Sequence, residues 1–314
     1  MLKILANDGI DNAGKMLLEE SGFVIVTDKI EQENLAQQLP AFDGIIVRSA
    51  TKVRRDIIDA CPNLKFIARA GVGMDNIDVE YARAKGIEVI NTPAASSISV
   101  AELVFAHLFS LCRFLQLSHQ AMPQQGDAKF NQLKKEYAEG MELFGKTIGI
   151  LGYGRIGQEV GRIAKGIGMK VMVFDILYNS DATLAARIEK MHGVKVGSLK
   201  DVIMGSDFLT VHTPGMDKPL LGATEFGWMK PGVGLVNCSR GGVIDENILI
   251  EQLESGKVRF AGLDVFVNEP TPRRDLLTHP KISTTPHIGA STEEAQERIG
   301  LELANRIIDS FGKK

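Results

Sequence analysis

The sequence has few cysteines and almost no net charge. It contains 3 cysteines in 314 residues, with no CxxC pair and no histidine-rich segment beside them. This scarcity argues against a disulfide framework or a zinc knuckle, so we expect no bound metal and a reducing, cytoplasmic compartment. The 36 basic and 39 acidic residues leave a net charge of −3, which is too balanced for a surface devoted to nucleic acid or to an anionic membrane.

The sequence also lacks the usual pattern of a secretory or membrane-spanning segment. Asn7 and Asp8 interrupt the apolar run near the N-terminus, so the order of a signal peptide is missing. In the most apolar stretch, residues 98–117, the polar residues fall within one half of a helical wheel. This stretch is therefore predicted to be one mostly buried helix and not a membrane span.

Short apolar runs alternate with helix-length segments, which is typical of βαβ units and a parallel sheet. A polar stretch around residues 123–139 interrupts this alternation before a second series begins, and a Ser291–Glu294 capping box opens the last helix. We expect an α/β protein with two doubly wound parallel-sheet domains. A Rossmann nucleotide-binding domain, residues 98–287, is inserted into a flavodoxin-like substrate domain, residues 1–97 and 288–314. The predicted strands are 3–6, 23–26, 44–47, 65–70, 88–90, 147–151, 170–174, 208–213, 234–238, 260–266 and 282–285.

A glycine motif follows the predicted strand 147–151 and opens a helix. Gly152 allows a sharp turn, Gly154 lets the backbone approach a pyrophosphate, and Gly157 lets the helix pack on the strand. Asp175 ends the next strand, where a carboxylate accepts hydrogen bonds from a ribose diol and repels the additional phosphate of NADP. A glycine turn that only packs a helix is the alternative, but strand, loop, helix and acidic residue in this order indicate NAD.

Three polar residues follow later apolar strands. Arg240 offers a planar set of donors suited to a carboxylate, His287 is a proton donor and acceptor near neutral pH, and Glu269 could stabilise the imidazolium. Each residue alone has another explanation: a surface ion pair for the arginine, a solvated turn for the glutamate and a structural role for the histidine. Their shared place at strand carboxyl ends favours a common site.

These motifs resemble those of the NAD-dependent D-isomer-specific 2-hydroxyacid dehydrogenases over nearly the whole chain. The resemblance is carried by the glycine loop with Asp175 and by the segments NCSRGG (237–242), LDVF (263–266) and PHIGAST (286–292). Within the family, residues 46–53 and 69–78 are most similar to the phosphoglycerate dehydrogenase branch.

The resemblance implies a reaction and a role for each catalytic candidate. Arg240 would bind the substrate carboxylate and orient the carbonyl, His287 would be the acid and base, and Glu269 would be its partner. The implied reaction is oxidation of 3-phosphoglycerate to 3-phosphohydroxypyruvate, the first step of serine biosynthesis. The implied cofactor contacts beyond the glycines and Asp175 are Arg155, Ile156, His212, Thr213, Pro214, Cys238 and Asp264.

A phosphorylated substrate requires a positive site rich in hydrogen-bond donors. Arg48, Lys52 and Arg69 stand at or just after strand ends of the first domain, and the backbone of Val72 and Gly73 could bind the substrate carboxylate. Ordinary surface charges are the alternative for these cations. The family also implies a homodimer or homotetramer through the helix over 98–117, and the end of the chain at residue 314 leads us to expect no serine-binding regulatory domain.

Two other functions stay open at this point. The first is a glyoxylate or hydroxypyruvate reductase, or another D-2-hydroxyacid dehydrogenase, which has the same three catalytic residues but needs no phosphate. The second is an NAD-sensing interaction protein similar to the corepressors of this family. Arg240, Glu269 and His287 together favour turnover over binding alone.

Overall fold

The computed structural model describes residues 1–312 and divides the chain into two compact α/β units. The first unit contains residues 1–96 and the segment from Ala290 onward, and the second contains Ser97–Gly289. The functional boundaries expected from the sequence, after residue 97 and before residue 288, stay a proposal.

The helices and strands alternate along the whole chain. Up to residue 96 they are β1 (Lys3–Ala6), α1 (Asn12–Glu20), β2 (Val24–Val26), α2 (Gln32–Gln38), β3 (Gly44–Val47), α3 (Arg55–Ala60), β4 (Phe66–Arg69), α4 (Val79–Ala84) and β5 (Glu88–Asn91). The second unit contains α5 (Ser97–Cys112), α6 (Leu115–Glu136), β6 (Thr147–Leu151), α7 (Arg155–Gly166), β7 (Lys170–Phe174), α8 (Ile176–Ser180), α9 (Ala182–His192), β8 (Lys195–Val196), α10 (Leu199–Gly205), β9 (Phe208–Val211), α11 (Ala223–Trp228), β10 (Val233–Asn237), α12 (Glu246–Glu254), β11 (Val258–Leu263), α13 (Arg274–Leu277) and β12 (Ile282–Thr284). The last helix, α14 (Glu293–Phe311), returns to the first unit.

The first unit contains a five-stranded parallel sheet in the order β2-β1-β3-β4-β5. All four residues of β3 are buried, as is typical of a parallel strand covered on both faces. Ile45 and Ile46 belong to two different apolar clusters because successive side chains point to opposite faces of the sheet. This strand order and the two covered faces confirm the flavodoxin-like prediction.

The second unit contains a seven-stranded parallel sheet in the order β12-β11-β10-β9-β6-β7-β8. The order of connection reverses between β6 and β9, which is where a Rossmann fold binds its ligand beyond the carboxyl ends of the strands. Ile150 and Leu151 of β6 again join separate clusters on the two faces. The predicted doubly wound nucleotide-binding architecture is confirmed.

Two local expectations are wrong. The helix expected over residues 98–117 ends at Cys112, because Phe114 has φ 54° and α6 begins at the next residue. The polar stretch that interrupts the alternation, near residues 123–139, is mostly helix α6. The cap of α14 is Thr292, whose Oγ1 accepts from the backbone N of Ala295 at 3.1 Å, and not Ser291. Ser291 matches the capping-box pattern through Glu294, whereas Ala295 stands three residues after Thr292, so the pattern pointed to the wrong one of two adjacent hydroxyl residues.

No single helix among residues 1–312 is long and apolar enough to cross a membrane. Only α5 and α6 taken together reach that length and composition, and they are bent by 54° at the break between them. The described residues also contain no group of three or more His, Cys, Asp or Glu side chains that could hold a metal ion.

Candidate active site

The glycine loop after β6 leaves no room for side chains at two of its positions. Gly152 has φ 93°, and a Cβ there would lie 2.5 Å from the backbone oxygen of His212. A Cβ on Gly157 would lie 2.3 Å from the backbone oxygen of Gly152. By contrast, apart from its two chain neighbours no described residue has an atom within 4 Å of a Cβ built on Gly154, the N-cap of α7. The loop is therefore tight inside and open at the helix N-terminus, where backbone N–H groups can receive a pyrophosphate.

Asp175 connects this loop to the first turn of α8. Its Oδ2 accepts from the backbone N of Tyr153 at 2.8 Å, and its Oδ1 accepts from the backbone N of Leu177 at 3.0 Å. The next two residues, Ile176 and Leu177, are uncharged, so no cation directly follows the carboxylate. A carboxylate at this place accepts hydrogen bonds from the ribose hydroxyls and repels a 2′-phosphate.

Two buried polar atoms lie just after β9, beside the glycine loop. His212 Nδ1 and Thr213 Oγ1 are buried, and neither has a hydrogen-bond partner among residues 1–312. The Nε2 atom of His212 lies 2.9 Å from Thr210 Oγ1, and burial lowers the pKa of this histidine to about 3, so the ring is neutral. Buried groups of this kind normally have a partner, and a polar cofactor would supply it.

These features fit NAD. The loop admits a pyrophosphate, the strand end after β7 carries the acidic residue, and the strand end after β9 carries polar atoms that need partners. Arg155 and Ile156 form the first turn of α7, and Pro214 is exposed after β9. These three residues stay proposed cofactor contacts.

Glu269 and His287 lie in direct contact. Glu269 Oε2 is 2.7 Å from His287 Nδ1, and Glu269 Oε1 accepts from the backbone N of Phe266 at 2.9 Å. The backbone of His287 has φ 55°, in the left-handed region that non-glycine residues seldom occupy. The glutamate is thus fixed by its own loop while it holds one nitrogen of the imidazole.

The charges around His287 favour its protonated form. The hydrogen bond with Glu269 raises the pKa of His287 above its ordinary value, burial opposes this, and the charges of Glu269 and Asp264 add to the rise. The guanidinium of Arg240 is close enough for its charge to lower the pKa of His287. Although burial of Glu269 opposes it, the hydrogen bond with His287 helps to lower the pKa of the glutamate, which is therefore ionised.

We expect Glu269→Gln to shift the pH dependence of 2-keto acid reduction to lower pH. In the role expected for His287, reduction requires its imidazolium as proton donor, so the rate falls as pH rises through the pKa of His287. Glutamine keeps an acceptor but loses the charge that raises this pKa. The measurement is kcat/KM against pH, and an unmoved profile would contradict the pairing. Glu254→Gln is the matched control, because Glu254 pairs with His279 at 2.9 Å in the same unit.

Arg240 stands on a turn after β10 that Asn237 holds in shape. Asn237 Nδ2 donates to the backbone oxygen of Arg240 at 2.9 Å, and Asn237 Oδ1 accepts from Ser239 N at 3.0 Å and from Ser239 Oγ at 2.8 Å. A Cβ on Gly241 would lie 2.0 Å from the backbone oxygen of Phe266, so only glycine allows this close approach. Asn237 was not among the residues predicted from the sequence, although a polar residue that ends an apolar strand was a usable signal.

Two other residues expected to contact the cofactor are almost fully buried. The thiol of Cys238 is 6% exposed, and burial raises its pKa well above the ordinary value, so it stays protonated. Asp264 accepts from the backbone N–H groups of Ile288–Gly289, both at 2.8 Å, and from Thr285 Oγ1 at 2.6 Å. Its carboxylate therefore fixes the turn that carries His287.

In the first unit, polar side chains shape the loop after β3. Arg48 N and Thr51 N donate to Asp8 Oδ2 at 2.6 and 3.1 Å, and Asn76 Nδ2 donates to the backbone oxygens of Arg48 and Thr51 at 2.8 and 2.6 Å. The guanidinium of Arg48 donates from Nη2 to Gln296 Oε1. The sequence did not predict these roles of Asp8, Asn76 and Gln296, because the three residues come from distant segments of the chain.

The other proposed substrate residues of this unit are distributed over two neighbouring loops. Lys52 is exposed in the loop after β3. Arg69 ends β4, donates from Nη1 to the backbone oxygen of Ala70 at 2.7 Å, and precedes the loop of Val72 and Gly73. Val72 is 36% exposed, so this loop is open to solvent within its unit.

Comparison with known proteins gives the family. The family model described as "D-isomer specific 2-hydroxyacid dehydrogenase, NAD binding domain" matches residues 105–289. The chain belongs to this family and is an NAD-dependent D-2-hydroxyacid dehydrogenase.

Individual relatives have names that give different substrates. The chain is 40% identical to a hydroxypyruvate reductase of Thermotoga maritima over 99% of its own length and 98% of that protein. It is also 40% identical to the D-3-phosphoglycerate dehydrogenase of Methanocaldococcus jannaschii, but spans only 57% of that protein's length. Among solved structures, D-mandelate dehydrogenase of Rhodotorula graminis has a TM-score of 0.87 at 27% identity and covers 99% of this chain and 94% of that one.

Proposed function

We propose that this enzyme oxidises 3-phosphoglycerate to 3-phosphohydroxypyruvate with NAD, the first step of serine biosynthesis. The observation that supports a phosphorylated substrate is the position of Arg48 in the loop after β3. Its guanidinium is held by Gln296 of α14, and Lys52 lies four residues further along the chain. Arginine and lysine at strand carboxyl ends suit a phosphate. The phosphoglycerate dehydrogenases at 40% identity support the same substrate.

The proposed reaction assigns one task to each catalytic side chain. Arg240 binds the substrate carboxylate and orients the group at C2. Neutral His287 takes the proton of the C2 hydroxyl through Nε2, since its Nδ1 faces Glu269, and Glu269 stabilises the imidazolium that forms. When bound, NAD supplies the acceptor for the hydride that leaves C2. In the reverse direction the imidazolium returns its proton to the carbonyl oxygen.

The alternative is a hydroxypyruvate or glyoxylate reductase. The match to the Thermotoga maritima reductase favours it, because that relative is matched over nearly its whole length. Comparing kcat/KM for 3-phosphohydroxypyruvate with that for hydroxypyruvate separates the two proposals. A preference for the unphosphorylated substrate would overturn our first choice. Failure to form NADH with any 2-hydroxy acid would favour an NAD-sensing binding protein instead.

We expect Arg48→Ala to reduce the preference for the phosphorylated substrate by about 10- to 100-fold, the usual worth of a hydrogen bond to a charged group. The ratio of the two kcat/KM values measures this effect. Lys65→Ala is the control, because it removes the same charge directly before β4, where the lysine pairs with Asp43 at 3.0 Å. If the ratio does not change in Arg48→Ala, Arg48 does not contact the phosphate.

We also propose a cytoplasmic homodimer or homotetramer. Exposed apolar side chains on α5 and α6 support pairing through these helices, since a partner subunit would remove them from water. They are Phe109, Leu115, Leu117, Met122 and Phe130. Sedimentation equilibrium measures the assembly state, and a monomer at micromolar concentration would contradict it.

A further inference from the structure

His107 is buried in the middle of α5, and none of the roles above uses it. It is only 2% exposed. Its Nδ1 lies 2.9 Å from Ser283 Oγ, and its Nε2 lies 3.2 Å from Thr285 Oγ1. A Cβ on Gly262 of β11 would lie 2.7 Å from the Cβ of His107, so the glycine provides the space for this histidine. A histidine with both nitrogens paired in a core is an ordered part of a network.

The network leads from His107 to the turn that carries His287. Thr285 Oγ1 lies 2.6 Å from Asp264 Oδ1. Asp264 in turn accepts from the backbone N–H groups of Ile288–Gly289 at 2.8 Å each. All of these residues belong to the second unit. One connected set of hydrogen bonds therefore joins the helix α5 to the residues directly after His287.

The donors and acceptors of this network fix the proton positions. The carboxylate of Asp264 only accepts, so the single hydroxyl proton of Thr285 is donated to it. Thr285 Oγ1 can then only accept from His107, whose Nε2 must carry a hydrogen. The neutral ring presents a bare Nδ1, which accepts from the hydroxyl of Ser283. Burial lowers the pKa of His107, although the charge of Asp264 opposes this, and a neutral ring agrees with the assignment.

We propose that His107 is a positioning residue for the catalytic turn. Its Nε2–H holds the hydroxyl of Thr285 on Asp264, and Asp264 holds the turn in which His287 has φ 55°. A left-handed backbone at a non-glycine residue persists only where its surroundings determine it. The inference rests on the proposed role of His287, because the turn matters for turnover only if His287 transfers the proton.

A matched pair of variants tests the proposal. Thr285→Val and Ser283→Ala each remove one hydroxyl that pairs with His107, but only Thr285 continues to Asp264. Thr285→Val should lower kcat by about 10- to 100-fold, since a small misplacement of a catalytic group has effects of this size. The KM values for the 2-keto acid and NADH should stay near those of the unaltered enzyme, and Ser283→Ala should keep kcat. An equal loss of kcat in both variants would overturn the proposal.

Two substitutions of His107 provide a second comparison. Glutamine can place an N–H near the position of Nε2, whereas asparagine reaches only the position of Nδ1. We expect His107→Gln to keep kcat near that of the unaltered enzyme, and His107→Asn to lower kcat as much as Thr285→Val does. Equal kcat values for the two would overturn the proposal. This pair of variants also tests the proposal if Thr285→Val fails to fold. Thermal melting monitored by circular dichroism would show such a failure.

Amide hydrogen exchange of the enzyme without substrate tests the turn independently of turnover. Thr285→Val should exchange faster than the unaltered enzyme at the amides of Ile288 and Gly289, and Ser283→Ala should not. Equal rates in all three would overturn the positioning of the turn. Because this readout does not require catalysis, it tests the proposal even if mutation of His287 shows that this residue is not the acid and base.

Discussion

Replacement of His287 by asparagine is expected to lower kcat in both directions by about 10²–10⁴-fold, the usual contribution of a positioned general acid or base. The imidazole is held by Glu269 at 2.7 Å and stands on a turn fixed by Asp264, so asparagine cannot reproduce a group that gains and loses a proton near neutral pH. Steady-state kinetics with NADH and a 2-keto acid measure the effect.

His279→Asn is the control for this prediction. His279 also pairs with a glutamate in the second unit, Glu254 at 2.9 Å, but the sequence motifs give it no role in proton transfer. Its replacement should leave kcat near that of the unaltered enzyme. The dissociation constant for NADH should also stay similar in His287→Asn, because the glycine loop is unchanged. If kcat of His287→Asn fell by less than tenfold, another residue would have to be the acid and base.

The second large effect is expected from Arg240. Arg240→Gln should reduce kcat/KM by about 10²–10³-fold, since a preorganised charged donor to the reacting group is lost. Arg240→Lys should recover only part of this loss, because an ammonium group keeps the charge but lacks the planar pair of donors that matches a carboxylate.

Arg259 provides the comparison for Arg240. It lies in β11 and donates from Nη2 to the backbone oxygen of Glu139 at 3.0 Å. Arg259→Gln changes the net charge by the same amount and should leave kcat/KM unchanged. If the two glutamine variants behaved alike, the effect of Arg240 would be one of overall charge, and its proposed contact with the substrate would be wrong.

Periodicity and glycine spacing located much of this fold. The parallel strands β3, β6 and β7 were predicted with their observed bounds, because their apolar runs are continuous and end at polar or glycine residues. The two-residue strand β8 was missed, since Lys195–Val196 is too short to show a pattern. The break between α5 and α6 was also missed, because apolar residues continue on both sides of Phe114.

The candidate site was likewise predicted only in part. Local motifs pointed to Arg240, Glu269 and His287, each of which stands beside a glycine, a proline or a strand end. The side chains that hold them in place were not visible, because Asn237 acts through a turn and His107 lies 178 residues from Thr285, one of its two partners. Such pairs are defined by packing of the folded chain and leave no spacing signature in a single sequence.

The residues proposed to act in catalysis, Arg240, Glu269 and His287, all lie in one uninterrupted segment, Ser97–Gly289. The residues proposed to recognise the phosphate, among them Arg48 and Lys52, lie before residue 97. Substrate choice can therefore diverge through changes in the N-terminal segment while the redox chemistry is inherited intact. Exchanging the first unit between relatives, residues 1–96 together with the segment from Ala290 onward that contains Gln296, is therefore a direct route to chimeric enzymes with altered selectivity.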